Sequence, residues 1–116
     1  MADLRIFELA IDDIAIDPRG CSELVNRTLV RGSARRRVSG MCADDRYVYL
    51  SLERRPPKAL AQVCRFAELS SLNPDEIAGG IMARYNAGFT TLGSFMAGGR
   101  LWALFARETA GEGAAR

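Results

Sequence analysis

Apolar and polar positions along this chain follow two rhythms, and the same succession of rhythms occurs twice. Residues 4–11, LRIFELAI, are rich in strand formers. Cys21, Leu24, Val25, Thr28 and Leu29 then recur at i, i+3, i+4, i+7 and i+8, which predicts one apolar helix face over residues 17–32. Asp17 suits the N-cap and Pro18 the first helical position, where a missing N–H costs nothing. Gly32 stands where a left-handed residue closes a helix. Two strand-like runs follow, RRRVSGMC and YVYLSLE, separated by ADDR, and predict a hairpin.

The second pass begins at residues 60–69, LAQVCRFAEL, whose AEL echoes the FEL at Phe7 to Leu9. Residues 73–88, NPDEIAGGIMARYNAG, repeat the cap, the proline and the closing glycine, and both helical segments are sixteen residues long. Glu76 adds capping-box spacing from Asn73, and Ile77, Ile81 and Tyr85 form the stripe. Gly79 and Gly80 each cost about 1 kcal/mol against Ala inside a helix, so close packing on that helix is expected. FTTLGSFM, AGGR and LWALFAR make the second hairpin, with two-residue turns expected at Asp44-Asp45 and Gly98-Gly99.

The spacing between matching positions changes from 60 to 56 to 54 along the chain, which puts the insertions in the connections. The pattern predicts one α+β domain over residues 1–108, built of two β-α-β-β repeats at about 4–55 and 60–108. Its expected form is a two-layer sandwich, with two helices on one face of a mainly antiparallel six-stranded sheet. RRPPK at residues 54–58 is the seam, and the tail, residues 109–116, is expected to be flexible.

Helix, glycine, aromatic and hairpin, closing on an aromatic and a basic residue, resemble the small β-α-β-β family called domain of unknown function 4177. Gly88-Phe89 and Leu104-Phe105-Ala106-Arg107 carry the resemblance best, while Ser33 after Gly32 and the ending Leu52-Glu53-Arg54 depart from it. The resemblance implies a fold and no site.

Strand alternation assigns Val48, Leu50 and Leu52, with their equivalents Trp102, Leu104 and Ala106, to the core. The opposite face carries Tyr47, Tyr49 and Ser51 in one repeat and Leu101, Ala103 and Phe105 in the other. Two helices cannot cover both sides of six strands, so Tyr47, Tyr49, Leu101 and Phe105 are expected on a bare face. Such a face marks an interface or a ligand groove. A homodimer through it, a sheet curled over it, and a pocket for a small apolar ligand all remain open.

Composition narrows the chemistry. The chain is 48% apolar and 26% charged, with a net charge of +2, which is ordinary for a globular protein and too small to argue for a polyanion partner. No apolar run approaches the length of a membrane span, and the start lacks a signal-peptide pattern, so a cytoplasmic protein with no membrane partner is expected. Histidine is absent, which removes His-based catalysis and His-ligated metals. Cys21, Cys42 and Cys64 lack metal spacing and are expected as small buried hydrophobes. Asp12-Asp13 and Asp44-Asp45 read as solvated turn residues, because neighbours in extended chain point apart. Gly98-Gly99 precedes a strand and not a helix, so it is no phosphate loop. No catalytic residue, metal or cofactor is implied.

One cluster remains. Arg31, Arg35, Arg36 and Arg37 follow the first helix, Arg54, Arg55 and Lys58 lie at the seam, and Tyr47 and Tyr49 sit on the paired strand. Arginine beside exposed aromatics suits single-stranded nucleic acid. Against it stand Asp44 and Asp45 in the same hairpin, the FTTL that replaces the arginines in the second repeat, and alternation, which sends Arg36 away from Arg35 and Arg37. A charged edge strand protected from aggregation accounts for the same residues. The leading expectation is therefore a non-enzymatic assembly module. The alternatives are a nucleic-acid-binding accessory protein using Arg35, Arg36, Arg37, Arg54 and Arg55, and a binder of small apolar ligands.

Overall fold

The computed structural model describes residues 3–32, 34–69 and 72–109. The order is β1 (Leu4–Ala10), α1 (Ile11–Ile16), α2 (Pro18–Val30), β2 (Arg36–Ala43), β3 (Tyr47–Arg54), β4 (Ala61–Leu69), α3 (Pro74–Asn86), β5 (Thr90–Ala97) and β6 (Arg100–Thr109). The α+β class and the repeated β-α-β-β order are those the sequence predicts. The strands form two three-stranded antiparallel sheets, ordered β1-β3-β2 and β4-β6-β5, where one six-stranded sheet was expected. In each, the last strand of the repeat lies in the middle.

Caps set the helices where the sequence placed them. The Asp17 carboxylate accepts from the Gly20 N–H at 3.0 Å. The Asn73 side chain accepts from the N–H groups of Asp75 and Glu76. Gly32 and Gly88 have φ of +81° and +95°, the left-handed conformation that only glycine adopts without strain. One helix went unforeseen: Ile11–Ile16 coils directly after β1, burying Ile11 and Ile14. Asp12 and Asp13 therefore occupy the first turn of α1, where acids suit the helix dipole, and not a solvated turn. The hairpin turns also differ. Gly98-Gly99 is the two-residue turn expected, with φ of +58° and +75°, whereas residues 44–46 form a longer one held by Asp44.

The buried faces of both sheets share one core. Val48, Leu50 and Leu52 meet Cys64, Phe66, Phe95, Trp102, Leu104 and Ala106, with Cys21, Val25 and Leu29 of α2. Phe95 stacks on Trp102 at 6.4 Å and meets Phe66 edge-on at 6.1 Å. A smaller cluster lies on the other side of the second sheet, where Ile77 and Ile81 of α3 pack on Leu69, Phe89, Ala103 and Phe105. Gly80 permits that approach, since a Cβ there would stand 3.3 Å from Leu69 Cδ2; Gly79 faces open space. The second sheet is thus covered on both faces, and Trp102 through Ala106 are five consecutive buried residues.

Helix α2 is placed differently from α3. It lies along β4, the edge strand of the other repeat. The Asn26 side-chain amide donates to Cys64 O at 3.0 Å and accepts from Cys64 N–H at 2.7 Å. Ser22 Oγ accepts from the Phe66 N–H at 2.9 Å. The Gln62 amide does the same for β2 of the first repeat, accepting from the Val38 N–H at 2.8 Å and donating to Val38 O at 3.2 Å. Both edge strands facing the centre are therefore closed by side chains that imitate a neighbouring strand.

The outer edge of the first sheet is β1. Ile11 N–H donates to Arg46 O at 2.8 Å, continuing the register in which Ala10 opposes Tyr47. Hydrogen-bonded pairs alternate in an antiparallel ladder, so Arg5, Phe7 and Leu9 bond to β3. Leu4, Ile6 and Glu8 turn their N–H and C=O groups away from it.

Asn26→Ala leaves two buried-edge backbone groups of Cys64 without partners, and is expected to cost about 2–4 kcal/mol in urea unfolding. Asn26→Asp, which keeps the acceptor but sets a carboxylate against Cys64 O, should not recover that loss. A cost below about 1 kcal/mol for both variants would mean that water replaces the amide.

Candidate functional site

Most of the predicted basic cluster is engaged by partners within the chain. Arg36 is 7% exposed, and its Nη2 pairs with Asp3 Oδ1 at 2.9 Å. Its Nη1 donates to Leu52 O and Asp3 O, each at 3.2 Å. Arg54 lies directly opposite Arg36, and its Nη2 reaches the second Asp3 oxygen at 3.0 Å. One carboxylate thus bridges two like charges, and hydrogen bonding from Arg36 first, then from Arg54, holds its pKa below the ordinary range. Arg37 pairs with Glu53 at 2.8 Å, and Arg35 donates to Val30 O at the end of α2. Arg55 is half-buried, and its backbone N–H bonds Arg35 O at 2.9 Å.

The expected bare face divides in two. Phe105 is 1% exposed and Leu101 is half-buried, both beneath α3. The reason lies in the separation of the sheets: α3 needs to cover only three strands, and does so. Tyr47 and Tyr49 stay at the surface, and so do Leu4 at 52% and Ile6 at 59% exposure on the neighbouring strand. Their register sets Leu4, Ile6 and Glu8 on the same face as Glu53, Ser51 and Tyr49. The bare face therefore belongs to the first sheet alone.

Asp44 organises its rim. Its Oδ1 accepts from the N–H groups of Tyr47 at 2.7 Å and Arg46 at 2.8 Å, and its Oδ2 from the Tyr49 hydroxyl at 2.9 Å. Those bonds, the Tyr47 N–H foremost, lower the Asp44 pKa, while the bond to Asp44 raises that of Tyr49. A depressed carboxyl pKa means that the stabilisation is complete above the ordinary carboxylate range. It is lost as pH falls through the lowered value.

Cys42 corrects another expectation. It is exposed on β2 opposite Tyr49, whereas Cys21 and Cys64 are buried. Burial pushes the Cys64 thiol up to about 12 and raises that of Cys21 as well. Neither buried thiol has the lowered pKa of an activated nucleophile.

Arginines that the sequence reading passed over form a second site. On the outer face of the second sheet, the guanidinium carbons of Arg65 and Arg107 lie 5.2 and 5.0 Å from the Phe89 ring centroid. That of Arg84 in α3 lies 4.8 Å from the Phe105 centroid. None of the three makes an ion pair among the described residues. The signal was alternation: Arg65 opposes Phe105 across the ladder, and Arg107 lies two residues beyond it.

Neither Tyr47 nor Tyr49 lines the open grooves at α1 and the β5–β6 hairpin, at Gln62 and Arg107, or between α2 and β4. The groove between α1 and the β5–β6 hairpin is lined by Ile16, Glu68, Arg100 and Trp102, among others. Glu68 and Arg100 already pair at 2.9 Å, and Trp102 Nε1 is sealed inside with no acceptor. No group of three or more acidic or Cys side chains that could hold a metal occurs among the described residues, and no helix there is long and apolar enough to cross a membrane. No family model, curated protein or solved structure matches the chain.

Titration of the folded protein with an aromatic disulfide at mildly alkaline pH should modify Cys42 alone, with Cys21 and Cys64 reacting only after denaturant is added. Fast reaction of a second thiol in the native protein would contradict the packing of α2 on β4.

Proposed function

We propose that this chain is a non-enzymatic assembly module that pairs with a second copy of itself through the first sheet. The observation that carries the reading is the open edge of β1. Leu4, Ile6 and Glu8 direct six backbone groups outward, and none of these groups has a partner among the described residues. A long, exposed, apolar edge is a template for another strand. The edge decides the geometry, because backbone groups are directional whereas apolar burial is not.

Three registers can be compared by charge and completeness. Centring the two-fold axis on Ile6 sets Leu4 opposite the second copy's Glu8 and pairs all six groups, with no like charges opposed. Centring it on Glu8 opposes two carboxylates. Centring it on Phe7 calls on Ala10, whose carbonyl belongs to the start of α1. The first register makes a continuous six-stranded sheet, on whose face the two Ile6 side chains meet and each Leu4 lies beside the second copy's Glu8. The family resemblance implies a fold alone and leaves this reading to rest on surfaces.

Sedimentation across a concentration series should show a monomer–dimer equilibrium. Ile6→Pro removes an outward N–H without touching a β3 bond, and is expected to yield a monomer with an unchanged far-ultraviolet spectrum. Ile6→Lys, which keeps the backbone, should weaken association in the same direction. A wild-type chain that stays monomeric at the highest concentration, or folded variants that still dimerise, would overturn the proposal.

A further inference from the structure

We infer that the outer face of the second sheet holds a site for the phosphodiester backbone of nucleic acid, built from Arg65, Arg84 and Arg107. This site is separate from the β1 edge, and from the arginines first suspected of such a role.

Two observations carry the inference. The first is that these three cations have no carboxylate partner among the described residues, while Arg36, Arg37, Arg54 and Arg100 each have one. Glu108, next to Arg107 in the chain, is set on the opposite face by strand alternation, and Glu68 is held by Arg100. The second is that each of these three guanidiniums lies over a phenylalanine ring. Arg65 and Arg107 share Phe89 at 5.2 and 5.0 Å, so their guanidinium carbons are no more than about 10 Å apart. Arg84 rests on Phe105 at 4.8 Å and donates from Nη1 to Gly80 O at 3.3 Å.

A guanidinium held over an aromatic ring keeps the N–H groups at its edge for an external acceptor. Fixing it beforehand also reduces the side-chain entropy lost on binding. Three such groups, exposed or half-buried beside α3, suit several phosphates in succession better than one enclosed anion. Phe89 and Phe105 are 8% and 1% exposed, so no base can stack on them. Binding should therefore read the backbone and not the sequence.

Fluorescence anisotropy with labelled single-stranded and duplex oligonucleotides of several sequences tests this. At low salt both are expected to bind with little sequence preference, and the better ligand identifies the backbone geometry. Affinity should fall with salt at a log–log slope of about −2 to −3, as three phosphate contacts require. The double variant Arg65→Gln/Arg107→Gln changes two exposed side chains, and should reduce the slope magnitude by about 1.5 and the low-salt affinity at least tenfold. Arg84→Gln should remove a further part. Arg54→Gln/Arg55→Gln should leave binding as it is, and so should Ile6→Pro, which separates this site from self-association. No binding at low salt, binding indifferent to the Arg65/Arg107 pair, or binding to anionic vesicles in place of oligonucleotides would each overturn the inference.

Discussion

The side-chain amide of Asn26 is the contact on which the arrangement of the two repeats depends. It exchanges two hydrogen bonds with Cys64, a residue 38 positions away, and so seats a helix of the first repeat along the edge of the second sheet. Unsatisfied backbone groups at a buried edge cost about 1–3 kcal/mol each, so a side chain that offers both an acceptor and a donor does the work of a missing strand. Ser22 extends the contact to Phe66, and Gln62 returns it to Val38. With these edges closed, Val25 and Leu29 are drawn into the core that Leu50 shares with Leu104.

Seating α2 in this way breaks the equivalence of the repeats. Helix α3 covers the outer face of its own sheet, while the first sheet has no helix on its outer face and stands open at β1. Where α3 covers the sheet, arginines settle over phenylalanines without carboxylate partners. In the first repeat Asp3 and Glu53 neutralise Arg36, Arg54 and Arg37. The two halves thus present two unlike surfaces, an apolar strand edge and a basic face.

Much of the fold could be read from local signals because its causes are local. Asp17-Pro18 and Asn73-Pro74 started helices where capping chemistry predicts, and the positive φ of Gly32, Gly88, Gly98 and Gly99 followed from the absence of a side chain. Coverage of the sheets is legible in the pattern too. YVYLSLE alternates, as a strand wet on one face does, whereas LWALFA is continuously apolar, as a strand buried on both faces is. That contrast explains why Leu101 and Phe105 are covered and Tyr47 is not. The Asn26 and Gln62 amides carry no signature, because their partners are backbone groups far along the chain. The arginine run misled for a related reason. A row of like charges looks free until its acids are located, and Asp3 lies 33 residues from Arg36.

Amide hydrogen exchange tests the central claim, that side chains close one sheet edge and leave another open. In dilute protein, the N–H groups of Cys64, Phe66 and Val38 should be protected to the level of global unfolding, although all three lie on edge strands. Those of Ile6 and Glu8 should exchange at nearly the rate of free peptide, and become protected as concentration rises. Rapid exchange at Cys64 and Phe66, or protection at Ile6 and Glu8 that does not depend on concentration, would contradict the account.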